Sequence, residues 1–344
     1  MSEAAQPPIN AVPPHAQLIQ MATAPWAFRL VYVAAELKLP DLLAEGPRGA
    51  RELAPEMGVH APSLHRVLRA LASLGLFTES TEGRFALTPL GDALRSGAPG
   101  SARATVLTLG APWFTRPLEE LLYSVQTGKP AFDRIQGMPA FDWLSKHPEE
   151  ASLFSKTMVG FHGMEPPAVA AAYDFSGLGT IADVGGATGN LLATILSRYP
   201  NLRGILFDLP HVVRDAPALL RERNVMDRVR IEAGSFFERV PTGADAYLLS
   251  HVIHDWSEEQ CLAILGHCRR AMKPDNRLLI IEMVLPPGDT PHPGKMLDIV
   301  MLSLPGGQER TEPEYRSLLD KAGFRMARVV PTQSAVSVVE AFPA

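Results

Sequence analysis

Two short segments of this chain contain the residue types that an enzyme active site needs. The first, residues 181–190, places Asp183 at the end of an apolar run and follows it with a glycine-rich turn. The second, residues 248–256, is an apolar run that ends at His254 and Asp255. A glycine-rich turn that opens a helix can hold a nucleotide-like cofactor, and a histidine can accept a proton near neutral pH. Together the segments indicate an enzyme that removes a proton while a nucleotide-like donor gives up a group.

The glycine-rich turn gains weight from an acidic residue further along the chain. Gly185, Gly186 and Gly189 stand where a strand should pass into a helix, and the missing side chains let the backbone approach a ligand. Asp208 ends the next apolar run, where a carboxylate can accept both hydrogens of a ribose diol. NAD would satisfy the same two features, so at this point the cofactor stays open.

The composition is that of an ordinary soluble globular protein. The 344 residues are 46% hydrophobic and 20% charged with a formal charge of −5, which favours neither nucleic acid nor an anionic membrane. Residues 1–20 lack the basic start and apolar run of a signal peptide, and no run reaches the ~18 uninterrupted apolar residues of a membrane helix. Cys261 and Cys268 fit one apolar helix face, with no disulfide. We therefore expect a cytoplasmic protein with a disordered tail over residues 1–14.

The length favours two domains, and the first is predicted over residues 15–100. Helical apolar spacing is followed by two short helices and by two strand-like runs around a glycine turn, a unit that resembles a winged helix-turn-helix. Between Arg51 and Arg95 five arginines balance five acids, whereas a groove-reading helix normally carries a basic excess. We predict a domain that forms a homodimer, and a DNA-binding, ligand-sensing regulator is the alternative.

Residues 101–170 are predicted to be a helical linker that contributes to a substrate pocket. Phe154, Met158 and His162 are spaced to share one helix face. Such a stripe fits a hydrophobic core as well as the wall of a pocket for a flat, apolar molecule. The residues predicted to line this pocket are Trp113, Phe154, Met158, Phe161 and Met301.

Residues 171–344 alternate between strand and helix patterns, which predicts an α/β domain with a doubly wound, mostly parallel sheet. The expected strands are 180–184, 204–207, 229–233, 246–249 and 277–283. Two last runs, 327–330 and 335–342, are too close together for a parallel crossover, which needs a dozen or more residues. The sheet should therefore end in an antiparallel hairpin, unlike an ordinary dinucleotide-binding fold.

Four motifs, in this order, resemble those of the cation-independent small-molecule O-methyltransferases, which include plant caffeate and flavonoid enzymes and bacterial relatives acting on natural products. They are Asp183-Val-Gly-Gly-Ala-Thr-Gly189, Phe207-Asp-Leu-Pro-His211, His254-Asp-Trp-Ser257 and Pro305-Gly-Gly-Gln-Glu-Arg-Thr311. The resemblance covers most of the chain, including the winged-helix region. It implies a class I methyltransferase fold, a homodimer and no metal.

The resemblance also implies S-adenosyl-L-methionine as the donor, with S-adenosyl-L-homocysteine as its product. The glycine turn would contact the methionine part, Asp208 the ribose and the Ser235-Phe236 pair the adenine. The full set of expected cofactor-binding residues is Asp183, Gly185, Gly186, Gly189, Asp208, Leu209, Ser235, Phe236 and Ser250. Two positions depart from the family pattern, because Ala187 replaces its middle glycine and Ser235 replaces a frequent acid. Both departures are expected to weaken cofactor binding without abolishing it.

The chemistry requires little beyond alignment and a base. A sulfonium already activates its methyl group, so the enzyme must place an acceptor oxygen in line and remove its proton. A phenol with a pKa near ~10 is mostly protonated at neutral pH, whereas His254 can be neutral there and act as general base. By resemblance, Glu282 and Glu309 would flank the imidazole, fix its orientation and stabilise the imidazolium. We therefore predict methylation of a phenolic hydroxyl on a small aromatic natural product.

Several alternatives stay open at the level of sequence. A relative that binds the same cofactor could hydroxylate, decarboxylate or cyclise its substrate, or methylate nitrogen or carbon. His251 lies three residues before His254, but no acidic or cysteine cluster at ligand spacing completes a metal site, so it is expected to pack at the strand end. Asp255 is expected to cap the helix that follows.

Overall fold

The computed structural model describes residues 12–344, so most of the expected tail over residues 1–14 lies outside the described part of the chain. Contacts divide the chain into two units. One comprises residues up to Thr115 together with Pro148–Phe161, and the other comprises Arg116–His147 together with His162–Ala344. The region predicted as a helical linker is thus shared between the two units, and the predicted domain limits remain a prediction.

The elements follow one another along the chain in two groups. Up to residue 162 they are α1 (Pro14–Glu36), α2 (Leu39–Leu43), β1 (Arg48–Gly49), α3 (Ala50–Met57), α4 (Ala61–Ser73), β2 (Phe77–Glu79), β3 (Arg84–Leu87), α5 (Pro89–Asp92), α6 (Arg103–Gly110), α7 (Pro112–Glu119), α8 (Leu121–Thr127), α9 (Ala131–Gln136), α10 (Ala140–Lys146) and α11 (Pro148–His162). Most of this group is helical.

The remaining elements alternate as the sequence predicts. They are α12 (Glu165–Ala172), β4 (Thr180–Val184), α13 (Asn190–Arg198), β5 (Arg203–Asp208), α14 (Pro210–Val213), α15 (Ala216–Glu222), β6 (Val229–Ala233), β7 (Ala246–Ser250), α16 (Glu258–Ala271), β8 (Arg277–Glu282), β9 (Val284–Leu285), α17 (Pro293–Ser303), β10 (Arg310–Thr311), α18 (Glu312–Lys321), β11 (Phe324–Pro331) and β12 (Ser337–Pro343). Two short 3₁₀ helices, Met226–Arg228 and Ile253–Asp255, lie between them.

The first unit has the winged-helix arrangement that its sequence indicates. Helix α4 carries Leu64, Leu68 and Leu71 at helical spacing, and all three are buried. Strands β1, β3 and β2 form a small antiparallel sheet that buries Phe77 and Phe85 in the same core. Burial of these apolar faces explains why short helices that would be marginal alone are stable here.

Helix α1 leaves much apolar surface exposed. It is 23 residues long and, by length and composition alone, apolar enough to cross a membrane, and its only buried residues are Ala34 and Ala35. Polar residues such as Gln17, Gln20 and Arg29 interrupt the apolar residues of α1, so they do not form one continuous run. The exposed large side chains on α1 are Leu18, Ile19, Met21 and Trp26. An apolar face of this kind indicates an interaction surface.

The second unit is built on a seven-stranded sheet in the order β11-β12-β8-β7-β4-β5-β6. Strands β4 to β8 are parallel, whereas β12 pairs antiparallel with both β8 and β11. The predicted terminal hairpin is therefore confirmed. Alternate residues of the strands bury against helices on the two faces, as in Leu206 on one side and Phe207 on the other. Because the carboxyl ends of parallel strands lie at one edge, the sheet presents its strand-end loops together.

Candidate active site

The glycine-rich turn follows β4 and needs glycine for defined reasons. Gly185 and Gly189 have φ values of 75° and 84°, in the left-handed region that favours glycine. A Cβ at Gly186 would lie 2.5 Å from Cγ of Asp183, and one at Gly185 would lie 2.8 Å from Cγ2 of Val252. The Gly185 N–H donates to the carbonyl oxygen of Phe207 over 2.8 Å. At Gly185 and Gly186 the turn is therefore packed so closely that a side chain would not fit.

Asp208 joins this turn at the end of β5. One of its carboxylate oxygens accepts the Ala187 N–H at 2.8 Å, and the other accepts the Leu209 N–H at 2.7 Å. Burial raises the pKa of this carboxyl, and the two N–H donors oppose the rise. A carboxylate oxygen can accept more than one hydrogen bond, so Asp208 keeps acceptor capacity for a diol. Ala187, which stands where the family pattern has a glycine, has a φ of 51°. This left-handed conformation is strained for alanine and would not be strained for glycine.

Asp183 is the buried acid behind the turn. It is 1% exposed, and neither of its carboxylate oxygens has a hydrogen-bond partner among residues 12–344. Burial and the nearby charge of Asp208 raise its pKa to about 7, and the backbone N–H of Leu192, which points toward the carboxylate without forming a full hydrogen bond, opposes the rise. An unpartnered buried carboxylate of this kind costs free energy unless a proton or a cation satisfies it. A positively charged ligand in the turn would supply that partner.

The other predicted cofactor residues lie at the same edge of the sheet. Ser235 follows β6, and Phe236 beside it places its ring 3.4 Å from where a Cβ of Gly185 would be. Ser250 ends β7, and Leu209, 41% exposed, follows β5. The structure therefore brings the predicted cofactor residues to one edge of the sheet. Their contacts with a cofactor remain a prediction.

His254 lies in the 3₁₀ helix just beyond β7, and Glu282 fixes the backbone there. One Glu282 oxygen accepts N–H groups from Val252, Ile253 and His254, at 3.1, 2.7 and 3.2 Å. The Tyr315 hydroxyl donates a hydrogen bond to the other oxygen. Glu282 was expected to flank the imidazole, but its hydrogen bonds go to the loop backbone. It therefore positions the loop and acts on the ring through its charge.

Glu309 holds the imidazole itself. Its Oε1 lies 2.6 Å from Nδ1 of His254, and both side chains are buried. The loop that carries Glu309 meets His254 backbone to backbone, because the Gln308 N–H donates to the His254 carbonyl oxygen at 2.8 Å. A Cβ at Gly307 would lie only 1.8 Å from that same oxygen. The glycine in this motif thus allows the approach that brings Glu309 to the ring.

Three carboxylates set the charge of His254. Burial lowers the pKa of the imidazole, but the charges of Asp255, Glu309 and Glu282 outweigh burial and raise it to about 10. The raised pKa favours the imidazolium form at neutral pH, whereas the sequence led us to expect a neutral ring there. Since Nδ1 is bonded to Glu309, the ring's proton exchange with a substrate must use Nε2.

Asp255 has a different place from the one expected. Ser257, not Asp255, caps α16, and it does so in a capping box with Gln260. Asp255 instead lies 3.7 Å from Nε2 of His254, the free side of the ring. Burial raises its pKa to about 6, although the nearby His254 charge opposes this. A local serine at the better position explains why the capping prediction was wrong.

A second histidine cluster lies beside the first. Oε2 of the buried Glu165 is 2.7 Å from Nε2 of His251 and 3.0 Å from Nδ1 of His162. The ring centroids of His251 and His254 are 5.2 Å apart. The polar atoms of His162, Glu165 and His251 lie within 4.8 Å of one another, a spacing at which a metal ion could bind. His251 was expected to pack at the strand end, and there it also forms a hydrogen bond to Glu165, which lies 86 positions away in the sequence and was not predicted as a partner.

The predicted pocket residues divide between the two units. In the first unit, Trp113 is buried and meets Phe154 edge to face with centroids 6.3 Å apart, while Phe161 is 50% exposed and Met158 is partly buried. In the second unit, Met301 is buried on α17. Their role as the walls of a pocket remains a prediction.

The fold and the strand-edge residues define a class I methyltransferase. An O-methyltransferase domain model matches residues 118–325, and an O-methyltransferase dimerisation domain model matches residues 19–97. The chain belongs to the O-methyltransferase family, whose cofactor is S-adenosylmethionine.

Relatives of known activity extend along nearly the whole chain. The chain is 45% identical to the phenazine O-methyltransferase PhzM of Lysobacter antibioticus, over 97% of this chain and 98% of the relative. It is 37% identical to the 8-amino-8-demethylriboflavin N,N-dimethyltransferase of Streptomyces davaonensis, over 90% of each. A solved structure of an O-methyltransferase from neocarzinostatin biosynthesis, in complex with S-adenosylmethionine and 2-hydroxy-5-methyl naphthoic acid, is similar with a TM-score of 0.83 and 33% identity over 92% of this chain and 96% of that one.

Proposed function

We propose that this protein transfers the methyl group of S-adenosylmethionine to a phenolic hydroxyl of a small aromatic natural product. When bound, the cofactor supplies a methyl group already activated by the sulfonium. The observation that carries the proposal is the buried hydrogen bond between His254 Nδ1 and Glu309, which leaves Nε2 as the proton-accepting atom. The similarity to enzymes that methylate aromatic compounds supports the substrate class.

The residues present fit this cofactor. S-adenosylmethionine carries two positive charges, and the unpartnered carboxylate of Asp183 behind the glycine turn requires a cation or a proton. In the proposal the turn, Asp208 and Ser235 with Phe236 hold the cofactor, with Leu209 and Ser250 nearby. Binding of a cation to ionised Asp183 releases a proton, so affinity for the cofactor should rise as the pH rises through 7.

His254 takes the proton of the acceptor hydroxyl in this mechanism. Its raised pKa of about 10 matches the ~10 of a simple phenol, so the proton moves between groups of similar affinity. The reactive complex can contain neutral imidazole and phenol, or imidazolium and phenolate. These two forms contain the same number of protons, so their pH dependence is the same. Either form gives a value of kcat/KM that rises about tenfold per pH unit below the His254 pKa. Glu309 and Asp255 stabilise the imidazolium that results.

The test uses purified protein, S-adenosylmethionine with an isotopically labelled methyl group, and a panel of hydroxylated phenazines and naphthoates. We expect a product heavier by one methyl group. His254→Ala should reduce kcat at least ~100-fold and leave the affinity for S-adenosylhomocysteine unchanged. His267→Ala, on the outer part of α16, is the matched control and should keep full activity. Turnover by His254→Ala at the normal rate would contradict the role of the imidazole.

Transfer to nitrogen is a second candidate, favoured by the similarity to the riboflavin N,N-dimethyltransferase. A neutral aromatic amine attacks the methyl group through its nitrogen lone pair and loses a proton only after the attack. It needs no base beforehand, so this chemistry would depend less on His254. Aromatic amines in the same panel distinguish the two. Methylation of amines with a higher kcat/KM than phenols would replace the O-methyl proposal.

The assembly is proposed to be a cytoplasmic homodimer formed through the N-terminal domain. The dimerisation domain match over residues 19–97 supports this, as does the exposed apolar face of α1. Trp26→Glu should convert the dimer to a monomer in light scattering after gel filtration. Recovery of the wild-type protein with the membrane fraction would instead assign the face of α1 to lipid.

A further inference from the structure

Two buried polar atoms near His254, Nδ1 of His251 and Oε2 of Glu309, have no hydrogen-bond partner within residues 12–344, and the first belongs to a residue that the proposed mechanism does not use. Nδ1 of His251 is buried and makes no hydrogen bond to any of residues 12–344, although Nε2 of the same ring is hydrogen-bonded to Glu165 at 2.7 Å. A buried polar atom without a partner costs roughly 1–3 kcal/mol. Such an atom in a folded protein calls for an explanation, and a ligand that completes it is one.

The hydrogen bond to Glu165 decides what Nδ1 can do. An ionised carboxylate only accepts hydrogen bonds, so the proton between the two residues belongs to Nε2 of His251. Burial lowers the pKa of His251 to about 4, with the neighbouring charges of His162 and His254 acting in the same direction. Burial would raise the pKa of Glu165, but the hydrogen bonds from His162 and His251 lower it to about 2. At neutral pH the ring is therefore uncharged, and Nδ1 is a bare acceptor.

The backbone of His251 is held in a costly conformation. Its φ is 52°, in the left-handed region that residues other than glycine seldom occupy. The His251 N–H donates to the Ile281 carbonyl oxygen at 3.2 Å, which anchors the residue to β8. Strain and an unsatisfied acceptor at one residue are typical of a functional position. The ring centroid lies 5.2 Å from that of His254, close enough for one small molecule to reach both rings.

We propose that Nδ1 of His251 accepts a hydrogen bond from a second donor group of the methyl acceptor, carried close to the hydroxyl that is methylated. This inference rests on the proposed function, because it takes His254 as the site of the reacting hydroxyl. It narrows the substrate class to aromatic compounds in which a hydroxyl or N–H neighbours the reacting oxygen. Glu165 is a positioning residue in this scheme, since it fixes the tautomer of His251.

A divalent metal ion is the rival use of the same residues. A cation bound by His162, Glu165 and Nε2 of His251 would displace the Nε2 proton and leave Nδ1 protonated. The direct contacts of 2.7 and 3.0 Å to Glu165 are those of hydrogen bonds, shorter than the separation of about 3.3 Å between ligands of a tetrahedral zinc with bonds near 2.0 Å. The contacts therefore favour the hydrogen-bonded arrangement.

The test measures binding rather than turnover. Full-length protein saturated with S-adenosylhomocysteine is titrated calorimetrically with 2,3-dihydroxynaphthalene and with 3-methoxy-2-naphthol, which lacks the second donor. Wild-type protein should bind the dihydroxy probe ~10-fold more tightly than the methoxy probe. His251→Leu should remove that preference. His251→Asn should retain it, because asparagine tolerates a positive φ and offers an oxygen near the position of Nδ1.

Controls separate this inference from the proposed function. His267→Leu makes the same chemical change away from the cluster and should keep the preference. Methyl transfer to either probe reports on the proposed function, and the binding preference reports on the hydrogen bond at His251. A binding preference without transfer to either probe or to any member of the phenol panel would count against the proposed function and would still support a hydrogen bond from a bound aromatic ligand to Nδ1 of His251. A nitrogen-15 spectrum of labelled histidine tests the tautomer without any probe, and it should show the proton of His251 on Nε2.

Three results would overturn the inference. The first is equal affinity for both probes in wild-type protein, including failure to bind either. The second is a loss of affinity for S-adenosylhomocysteine in His251→Leu with an unchanged probe preference, which would assign the acceptor to the cofactor. The third is stoichiometric zinc binding that Glu165→Gln abolishes, or a proton found on Nδ1.

Discussion

Two histidine–glutamate pairs lie side by side in the second unit, and they have opposite protonation. In one, Nδ1 of His254 meets Glu309, and the pKa of the imidazole is raised to about 10. In the other, Nε2 of His251 meets Glu165, and the pKa of the imidazole is lowered to about 4. The same two residue types at nearly the same distance therefore give one charged ring and one neutral ring.

The difference comes from the neighbours of each pair. His254 faces Asp255 and Glu282 in addition to Glu309, so three negative charges outweigh the cost of burial. His251 has a single carboxylate, shared with His162, and is close to two other imidazoles. A hydrogen bond to a carboxylate therefore does not by itself decide the charge of a buried histidine. The total charge around the ring decides it.

Removing the carboxylate from the His254 pair should have the largest effect. Glu309→Gln takes away a charge and an orienting hydrogen bond, so we expect kcat to fall about 100-fold. The pKa of His254 should fall as well, which moves the rising limb of the plot of kcat/KM against pH to lower pH. Glu165→Gln is the comparison, and its limb should stay where the wild-type limb is. Identical limbs for all three proteins between pH 6 and 10.5 would refute the charge argument.

Displacing the loop that carries Glu309 should have the next largest effect. In Gly307→Ala the new methyl group would meet the His254 carbonyl oxygen at 1.8 Å, so the loop must move. We expect kcat to fall about 10-fold to 100-fold, because misplacement of a catalytic group by about 1 Å is costly. Gly177→Ala, at a glycine with nothing within 4 Å, is the matched control and should keep its activity. Equal activity of the two variants would show that the loop position does not matter.

The two pairs should also affect the free energy of unfolding in different pH ranges and in opposite directions. The raised pKa of His254 stabilises the fold below about pH 6.5, and this stabilisation is lost as the pH rises toward 10. The lowered pKa of His251 has the reverse consequence, because stability is lost as the pH falls from about 6.5 toward 4. Each slope is at most about 1.4 kcal/mol per pH unit. Urea unfolding at a fixed protein concentration should show His254→Gln flattening the alkaline side and His251→Asn the acid side.

If each variant flattened the wrong side, or neither side changed, the assignment of charge to the two rings would be incorrect. The comparison must hold protomer concentration constant, because dimer formation adds to the apparent stability.

Loss of the Tyr315 hydroxyl should have the smallest effect. Tyr315→Phe removes the donor to one oxygen of Glu282 and leaves that buried oxygen unsatisfied, which should cost about 1–3 kcal/mol of unfolding free energy. Because three backbone N–H groups still hold the other oxygen, the His254 loop should stay in place and kcat should change less than about tenfold. Tyr247→Phe, which loses a bond to the Ala271 carbonyl oxygen, is the control with a neutral acceptor. Tyr315→Phe should be the less stable variant in chemical denaturation, and the reverse order would contradict this.

Much of the sheet was predictable from sequence, because each central strand is a continuous apolar run that ends in a marked residue. Strand β4 begins and ends at the predicted residues, and Asp208 and His254 lie at the strand edge as expected. The final hairpin followed from a chain too short for a crossover. These features depend on residues that are close together in the sequence, so the sequence alone is enough to predict them.

The partners of the site residues were less accessible. Glu165 reaches His251 across 86 positions, and Tyr315 reaches Glu282 across 33, so only the folded chain brings them together. Glu282 was expected to flank the imidazole of His254, and its charge does raise the pKa of that ring. Sequence alone did not show that the hydrogen bonds of Glu282 go to three backbone N–H groups of the loop. Its role in catalysis stays a prediction. The prediction for Asp255 failed because Ser257 and Gln260 form a complete cap two residues later.

The close backbone contact between Gly307 and the carbonyl group of His254 limits which residues of this enzyme can be exchanged. Residues whose side chains contact an acceptor can be exchanged one at a time, because such an exchange changes the shape of the pocket without moving the backbone. At Gly307 two main-chain segments are in contact, so any side chain added there must push the loop away from His254. Libraries that seek new acceptors should therefore vary the lining and keep residues 306 and 307 as glycine.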